Sequence, residues 1–300
     1  MRLGLLLSLV VLFFVPTLAH AKWTKLDYPG ASSTFAKGIQ GNNIVGYYYD
    51  SHNSPHGFLY DGTTWSTLSG ADQALGIDAN NIVGETGIRG FLFDGTNYDY
   101  LDAPGANVTV AAGISGINIV GHYRDNNFAR RGYLYDGTTW TPLDDPSADT
   151  SSGKGTQPWG IDGNNIVGDY TEGNFVGHGF LYNGTTWTTL DAPGAVGTVA
   201  LGIQGNKIVG FYANSTSPHP HAFIYNGTTW TTLDAPFPGA QDTSANGIDG
   251  NNIVGYYVDS GNNYHGFLYT NTTASAPEPT TYALLSGFGL TGAIFLRRRK

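Results

Sequence analysis

Short apolar runs rich in Ile, Val, Tyr, Phe, Trp and Thr alternate along nearly the whole chain with punctuation made of Gly, Asn, Asp and Pro. That is strand chemistry, and no interior stretch has helical spacing. The runs recur in a fixed order. One copy reads Ala36-Lys37-Gly38-Ile39, then Ile44-Val45-Gly46-Tyr47-Tyr48-Tyr49, then His56-Gly57-Phe58-Leu59-Tyr60, then Trp65-Ser66-Thr67-Leu68. A Gly-Ile pair opens six copies, at Gly38, Gly76, Gly113, Gly160, Gly202 and Gly247, with a period of 37 to 47 residues, and Ile-Val-Gly follows in each. Periods of this size signal a repeat architecture.

The punctuation predicts how the runs connect. Gly-Asn-Asn joins the first run to the second at Gly41, Gly163 and Gly250, and Asp-Gly or Asn-Gly joins the third to the fourth at Asp61, Asp94, Asp136, Asn183 and Asn226. The latter pairs point to tight type I′ hairpins, which need positive φ at both central residues. Each copy is then a four-stranded antiparallel meander, the unit of a propeller blade. Trp23 to Ala31 reads as a fourth strand without its first three, and the last copy stops after Phe267-Leu268-Tyr269, where its own fourth strand belongs. The two fragments complete each other. The prediction is an all-β, six-bladed β-propeller over residues 22–272, closed by the N-terminal strand, with a solenoid of sheet units as the alternative.

The ends differ from the repeats. Residues 1–21 carry one positive charge at Arg2, an apolar run from Leu3 to Val15 and a small-x-small site at Ala19-His20-Ala21. These are the parts of a secretory signal peptide, with an uncleaved anchor helix as the alternative. A linker over 273–279 holds Pro277-Glu278-Pro279, an uncharged stretch runs from Thr280 to Leu296, and Arg297-Arg298-Arg299-Lys300 closes the chain. Seventeen helical residues reach about 26 Å, the short end of a membrane span, so 280–300 is expected to form a C-terminal transmembrane helix with a basic cytoplasmic tail. A plain membrane anchor is the simpler alternative. The three-part tail resembles the PEP-CTERM sorting signal, which implies recognition and cleavage by an exosortase. Transient membrane insertion through this helix would then precede transfer to the cell surface or extracellular matrix. The His-Gly/Ala-Phe-Leu/Ile-Tyr strands, such as His221-Ala222-Phe223-Ile224-Tyr225, are similar to HAF-type bacterial extracellular repeats, a family that brings no established activity.

Composition narrows the partners. Of 14 Lys and Arg and 23 Asp and Glu, five basic residues and one acidic residue lie outside the repeats, leaving 9 against 22 and a net −13. So acidic a body excludes nucleic acid as a partner, because phosphate binding needs clustered cations. With no Cys there is neither a disulfide framework nor a thiolate metal site.

Candidate chemistry is sparse. A basic side chain stands at one repeat position in all six copies: His56, Arg89, Arg131, His178, His221 and His265. It starts the third strand, about 10 Å farther from the axis than the channel wall, too far for six copies to converge on one ion. Hydrogen bonds to the loops are therefore expected, Asp102, Asp191 and Asp234 being the proposed acceptors. The fourth-strand Trp65, Trp140, Trp187 and Trp230, with Tyr98 and Trp23, are expected to pack between blades. Phe128, Trp159, Phe175, Phe237 and Tyr264 fall in the variable segments and are candidate sugar-stacking rings on the face carrying the long connections. Asp144 and Asp145 read as solvated loop residues. No catalytic motif occurs, and no metal or cofactor is expected. The functional expectation is a non-catalytic surface or matrix protein that binds exopolysaccharide, handled by exosortase and the secretion machinery. A carbohydrate-active lyase or glycosidase at the channel mouth is the alternative.

Overall fold

In the computed structural model, which describes residues 20–173 and 177–272, every regular element is a strand. Among the described residues no helix is long and apolar enough to cross a membrane. The expected C-terminal helix, the sorting motif and nearly all of the signal peptide lie outside the described residues.

The strands form six four-stranded sheets. Blade 1 is typical: Ser33–Gln40 is innermost, followed outward by Asn43–Tyr49, Pro55–Tyr60 and Trp65–Thr67. Blade 6 takes its three inner strands, Ala240–Asp249, Asn252–Asp259 and Tyr264–Thr272, from the end of the repeats and its outer strand, His20–Leu26, from their start. The ring is thus closed by strand pairing between sequence-distant segments. The propeller unit spans Lys22–Thr270.

The core is a set of wedges between blades. In one, Val45, Leu68 and Ala71 of blade 1 meet Ala74, Ile82 and Phe91 of blade 2, all buried. Phe58, Phe91, Phe180, Phe223 and Phe267 are fully buried at one repeat position, and each such side chain contributes about 1.5–3 kcal/mol through burial. Blade 3 has Tyr133 there. Its hydroxyl donates to the Val110 carbonyl oxygen at 2.9 Å, so the added oxygen is satisfied. The fourth-strand aromatics pack edge-on against these rings, as Trp65 does against Phe58 at 5.0 Å.

Two local features depart from expectation. The Asp-Gly and Asn-Gly hairpins are four-residue loops, not type I′ turns: Tyr60 pairs with Trp65, and only Gly62 of the Asp-Gly pair has positive φ. The Asp61 carboxylate accepts the Thr63 and Thr64 amides, and this side-chain cap replaces the second positive φ. The inner hairpins have two-residue loops with positive φ at the first central residue alone, the pattern of type II′. Ala79 fills that position in blade 2 at φ 53°, a conformation that disfavours a Cβ.

Candidate functional site

Each inner strand carries a β-bulge just before its Gly-Ile pair. The bulged residue is Lys37, Leu75, Ala112, Trp159, Leu201 or Asn246, and all six line the channel cavities. A bulge re-aims one side chain out of the alternation, here toward the axis. The glycine that follows forms the waist. A Cβ on Gly202 would lie 2.7 Å from the Asn246 carbonyl oxygen and 3.2 Å from the Gly247 Cα, so neighbouring backbones touch where only hydrogen fits.

On the tight-turn side of the waist the channel is clasped shut blade to blade. The residue after Gly-Ile accepts the first turn amide of the next blade in all six copies. Ala79 donates to Gln40, Gly116 to Asp78, Gly163 to Ser115, Gly205 to Asp162, Gly250 to Gln204 and Gly41 to Asp249. The Gln40 and Gln204 amides also donate to Asp78 and Asp249 at 2.6 and 2.7 Å. Only about 80 Å³ is enclosed there.

On the loop side the channel widens into a vestibule made of two cavities of about 270 and 310 Å³ that share Lys37, Leu75 and Trp159. Its wall comes from the residue immediately after Ile-Val-Gly, which is Tyr47, Glu85, His122, Asp169, Phe211 or Tyr256 in blades 1 to 6. Each faces a cross-strand partner on the inner strand, giving Phe35 with Tyr47, Gln73 with Glu85, Val110 with His122, Gln157 with Asp169, Val199 with Phe211 and Ser244 with Tyr256. One chain position thus supplies aromatic, acidic and basic chemistry around one opening.

Burial sets the electrostatics. Asp169 is 6% exposed, and its oxygens accept from Trp159 Nε1 at 2.8 Å and Gln157 Nε2 at 3.1 Å; burial still pushes its pKa up. Glu85 takes a 2.7 Å bond from Gln73 and is likewise raised, by burial and then by Asp72. Burial, with Arg130 and Arg124 nearby, lowers His122 to about 3, so this imidazole is neutral at ordinary pH. Its Nδ1 is buried without a hydrogen-bond partner, and its ring stands edge-on to Trp159 at 5.0 Å. Lys37 is lowered to about 8 by burial, and its ammonium lies 5.8 Å from the Tyr47 ring and 5.3 Å from the Tyr256 ring. Phe35, Tyr47, Tyr256 and Tyr264 form one aromatic cluster where blades 6 and 1 meet.

The candidates named from sequence fall in different places. Trp159 is in the vestibule, but on the inner strand Thr156–Asp162, not in the preceding insertion. Tyr264 joins the aromatic cluster, 37% exposed. Phe128 is 59% exposed, at φ 61° in the loop position that Asn53 and Asn262 fill elsewhere. Phe237 is no free ring: it stacks on Tyr257 at 4.9 Å and meets Trp23 edge-on at 6.2 Å. Phe175 lies outside the described residues. Asp145 is buried at 7% exposure, its backbone amide donating to Thr156, and Asp144 accepts from Arg131 and from the Gly132 amide, so neither is a solvated loop acid.

The repeated basic position meets aspartate throughout. Arg89 bonds Asp102, His178 bonds Asp191 and His221 bonds Asp234, while Arg131 reaches Asp125 and Asp144 and His265 reaches Asp27 and Asp259. Blade 1 has Ser69 where the others carry that aspartate, and His56 turns to Asp50 at 3.2 Å. The Ser54 amide and then His56 hold Asp50 down at about 2. Among the described residues no cluster of His, Cys, Asp or Glu could hold a metal ion.

The vestibule wall eluded sequence reasoning. Its signal was there, as the one position beside an otherwise repeated Ile-Val-Gly that changes character in nearly every copy. A larger cavity of about 360 Å³ between blades 1 and 2 at the tight-turn face offers less chemistry, its one acid being Asp94, already bonded by the Thr96 and Asn97 amides.

No family model matches the chain, and no curated protein matches it. Its fold is similar to that of a mutant Aleuria aurantia lectin in complex with Fucα1-6GlcNAc, at 14% identity over 82% of this chain and 98% of that one, TM-score 0.51. It is also similar to TolB from Acinetobacter baumannii, at 17% identity over 78% of this chain and 66% of that one, TM-score 0.51. Identities this low establish a shared propeller fold and nothing finer.

Proposed function

We propose that this chain is an exported, non-catalytic saccharide-binding propeller of a bacterial surface or extracellular matrix, which holds exopolysaccharide at the loop-side vestibule. The observation that carries the reading is the wall after Ile-Val-Gly, where an aromatic arc of Phe211, Tyr256 and Tyr47 faces a polar arc of Glu85, His122 and Asp169 around one opening. Sugars present apolar ring faces and a rim of hydroxyls, so a few rings among buried hydrogen-bonding groups suit them. The lectin sharing the fold was crystallised with a fucosyl disaccharide, which supports the ligand class and leaves the sugar open. Delivery by a signal peptide rests on the pattern of residues 1–21, and processing by an exosortase on the resemblance carried by residues 276–300.

The test is incubation of the purified chain with exopolysaccharide of its host. Retention of the polymer without new reducing or unsaturated ends is expected, and loss of retention in Trp159→Ala and Tyr256→Ala while the fold persists would place it in the vestibule. Unchanged retention in both variants refutes that placement. The enzyme reading has one observation in its favour, the half-buried Glu85 and buried Asp169 carboxyl groups with raised pKa values, as acid–base work requires. Release of shortened product, abolished by Glu85→Gln or Asp169→Asn, would establish it instead.

A further inference from the structure

We propose that the vestibule takes an acidic saccharide, its carboxylate received between Lys37 and the Arg124–Arg130 pair while the sugar ring lies against Trp159 and the tyrosines. This rests on the saccharide-binding reading above and narrows it to one ligand class.

The cations of this acidic body are distributed unevenly. Lys25, Arg89, Arg131 and Lys154 each have an aspartate partner. Among the described residues Lys22, Lys37, Arg124, Arg130 and Lys207 pair with no carboxylate: Lys37 has only its two tyrosine rings, Arg130 donates to the Gly153 carbonyl oxygen at 2.9 Å, and Lys22 and Lys207 lie outside the vestibule, Lys207 donating to the Gly250 carbonyl oxygen at 3.1 Å. Arg124 and Arg130 are moreover direct cross-strand partners. Like charges in that relation repel, and the arrangement is stable only at a cost that an anion between them would remove. Arg124 shares its sheet face with His122, two residues earlier, and lines the same cavity as Lys37.

Facing acids offset only part of this charge: Arg124 favours the ionised form of Glu85 and Arg130 that of Asp169, yet both carboxyl groups stay raised and, among the described residues, neither forms an ion pair with an arginine. Glu85 and Asp169 are the vestibule's carboxyl groups, and each is already bonded by neutral donors, Gln73 in one case and Trp159 with Gln157 in the other. The remaining acids of the body act through solvent, which screens them over about 8 Å at physiological salt. A guanidinium fork matches a carboxylate's two oxygens, and a cavity of about 310 Å³ is of the size that holds small ligands. Neutral His122 supplies a ring nitrogen for a sugar hydroxyl rather than a further charge.

The experiment is calorimetric titration of the full chain with oligosaccharides of alginate, pectate and hyaluronate, each beside its carboxyl-methyl ester. The acid form of at least one should bind about tenfold or more tighter than its ester, the scale of one charge-assisted contact. Lys37→Met and Arg124→Gln should each erase that preference while ester binding persists, and Lys37→Arg should retain it. The persisting ester binding doubles as proof that the variants fold. Equal affinity for acid and ester overturns the acidic-ligand proposal and leaves the saccharide reading standing, as does a preference that survives both substitutions. Binding of no acid, no ester and no neutral dextran overturns both.

Discussion

The two ends of the channel are built from neighbouring strands of the same six hairpins, yet they follow different rules. At the tight-turn end six side chains, Gln40, Asp78, Ser115, Asp162, Gln204 and Asp249, do one job six times: each accepts an amide from the next blade. At the loop end the equivalent six-fold set, from Tyr47 to Tyr256, holds three aromatic rings, two acids and an imidazole, and leaves His122 Nδ1 without a hydrogen-bond partner. Regularity marks where the ring is held together, and irregularity marks where it is free to specialise. The waist glycines separate the two regimes, so chemistry in the vestibule can vary without disturbing closure.

Substitutions on either side of that boundary sharpen the contrast. Gly202→Val places a side chain against the Asn246 carbonyl oxygen of the neighbouring blade and is expected to cost about 3 kcal/mol or more, whereas Leu201→Ala, one residue away in the bulge, should cost about 1 kcal/mol or less. Comparable costs for the pair, measured by denaturant unfolding, would break the distinction.

A pH series probes the loop end. His122 is lowered in the folded protein, so the unfolded chain binds a proton first as pH falls below 6.5, and stability declines between there and about 3. Glu85 and Asp169 are raised and act in the opposite sense, losing stability as pH rises through their folded values. Comparing wild type with His122→Phe isolates the first effect. The variant should gain about 3 kcal/mol relative to wild type by pH 4 and nothing from this cause above pH 7. A pH-independent difference would mean that the imidazole is solvated.

The clasp is worth less per member. Asp249→Ala removes the carboxylate that accepts from Gly41, across the junction between the last blade and the first, and should cost about 1–2 kcal/mol, or several degrees in Tm for a domain of this size. An unchanged Tm would show that strand pairing alone closes the ring.

The smallest effects compare two strained residues, one near each end. Ala79→Gly and Phe128→Asn both relieve positive φ and should stabilise by about 0.5–1 kcal/mol. Neither residue lines the vestibule, so retention of saccharide should persist in both variants; its loss in Phe128→Asn would move the site out to the loops.

Much of this was legible from residue order. The six copies, the split blade and the aspartates that meet Arg89, His178 and His221 all follow from periodicity and from turns of fixed composition. The vestibule did not, because the residue facing it depends on a bulge that strand alternation conceals. Lys37 sits one step past buried Ala36 and one step before waist Gly38, and pure alternation cannot aim it at the axis without the extra unpaired residue. The same slip brought Trp159 out of its supposed loop and into the channel. Phe237 shows the reverse error, since a ring in a variable connection was free to fall onto Trp23 and Tyr257.

The sequence by itself determined the number of blades, their strand order and the way the ends complete one another, because these rest on local propensity and repetition along the chain. Only the tertiary structure decided which six positions share an opening, how buried each becomes and which cations are left without acids. Those properties arise when residues about 40 apart in sequence are brought around a common axis, and the dielectric and neighbours they meet there do not exist until the ring has closed.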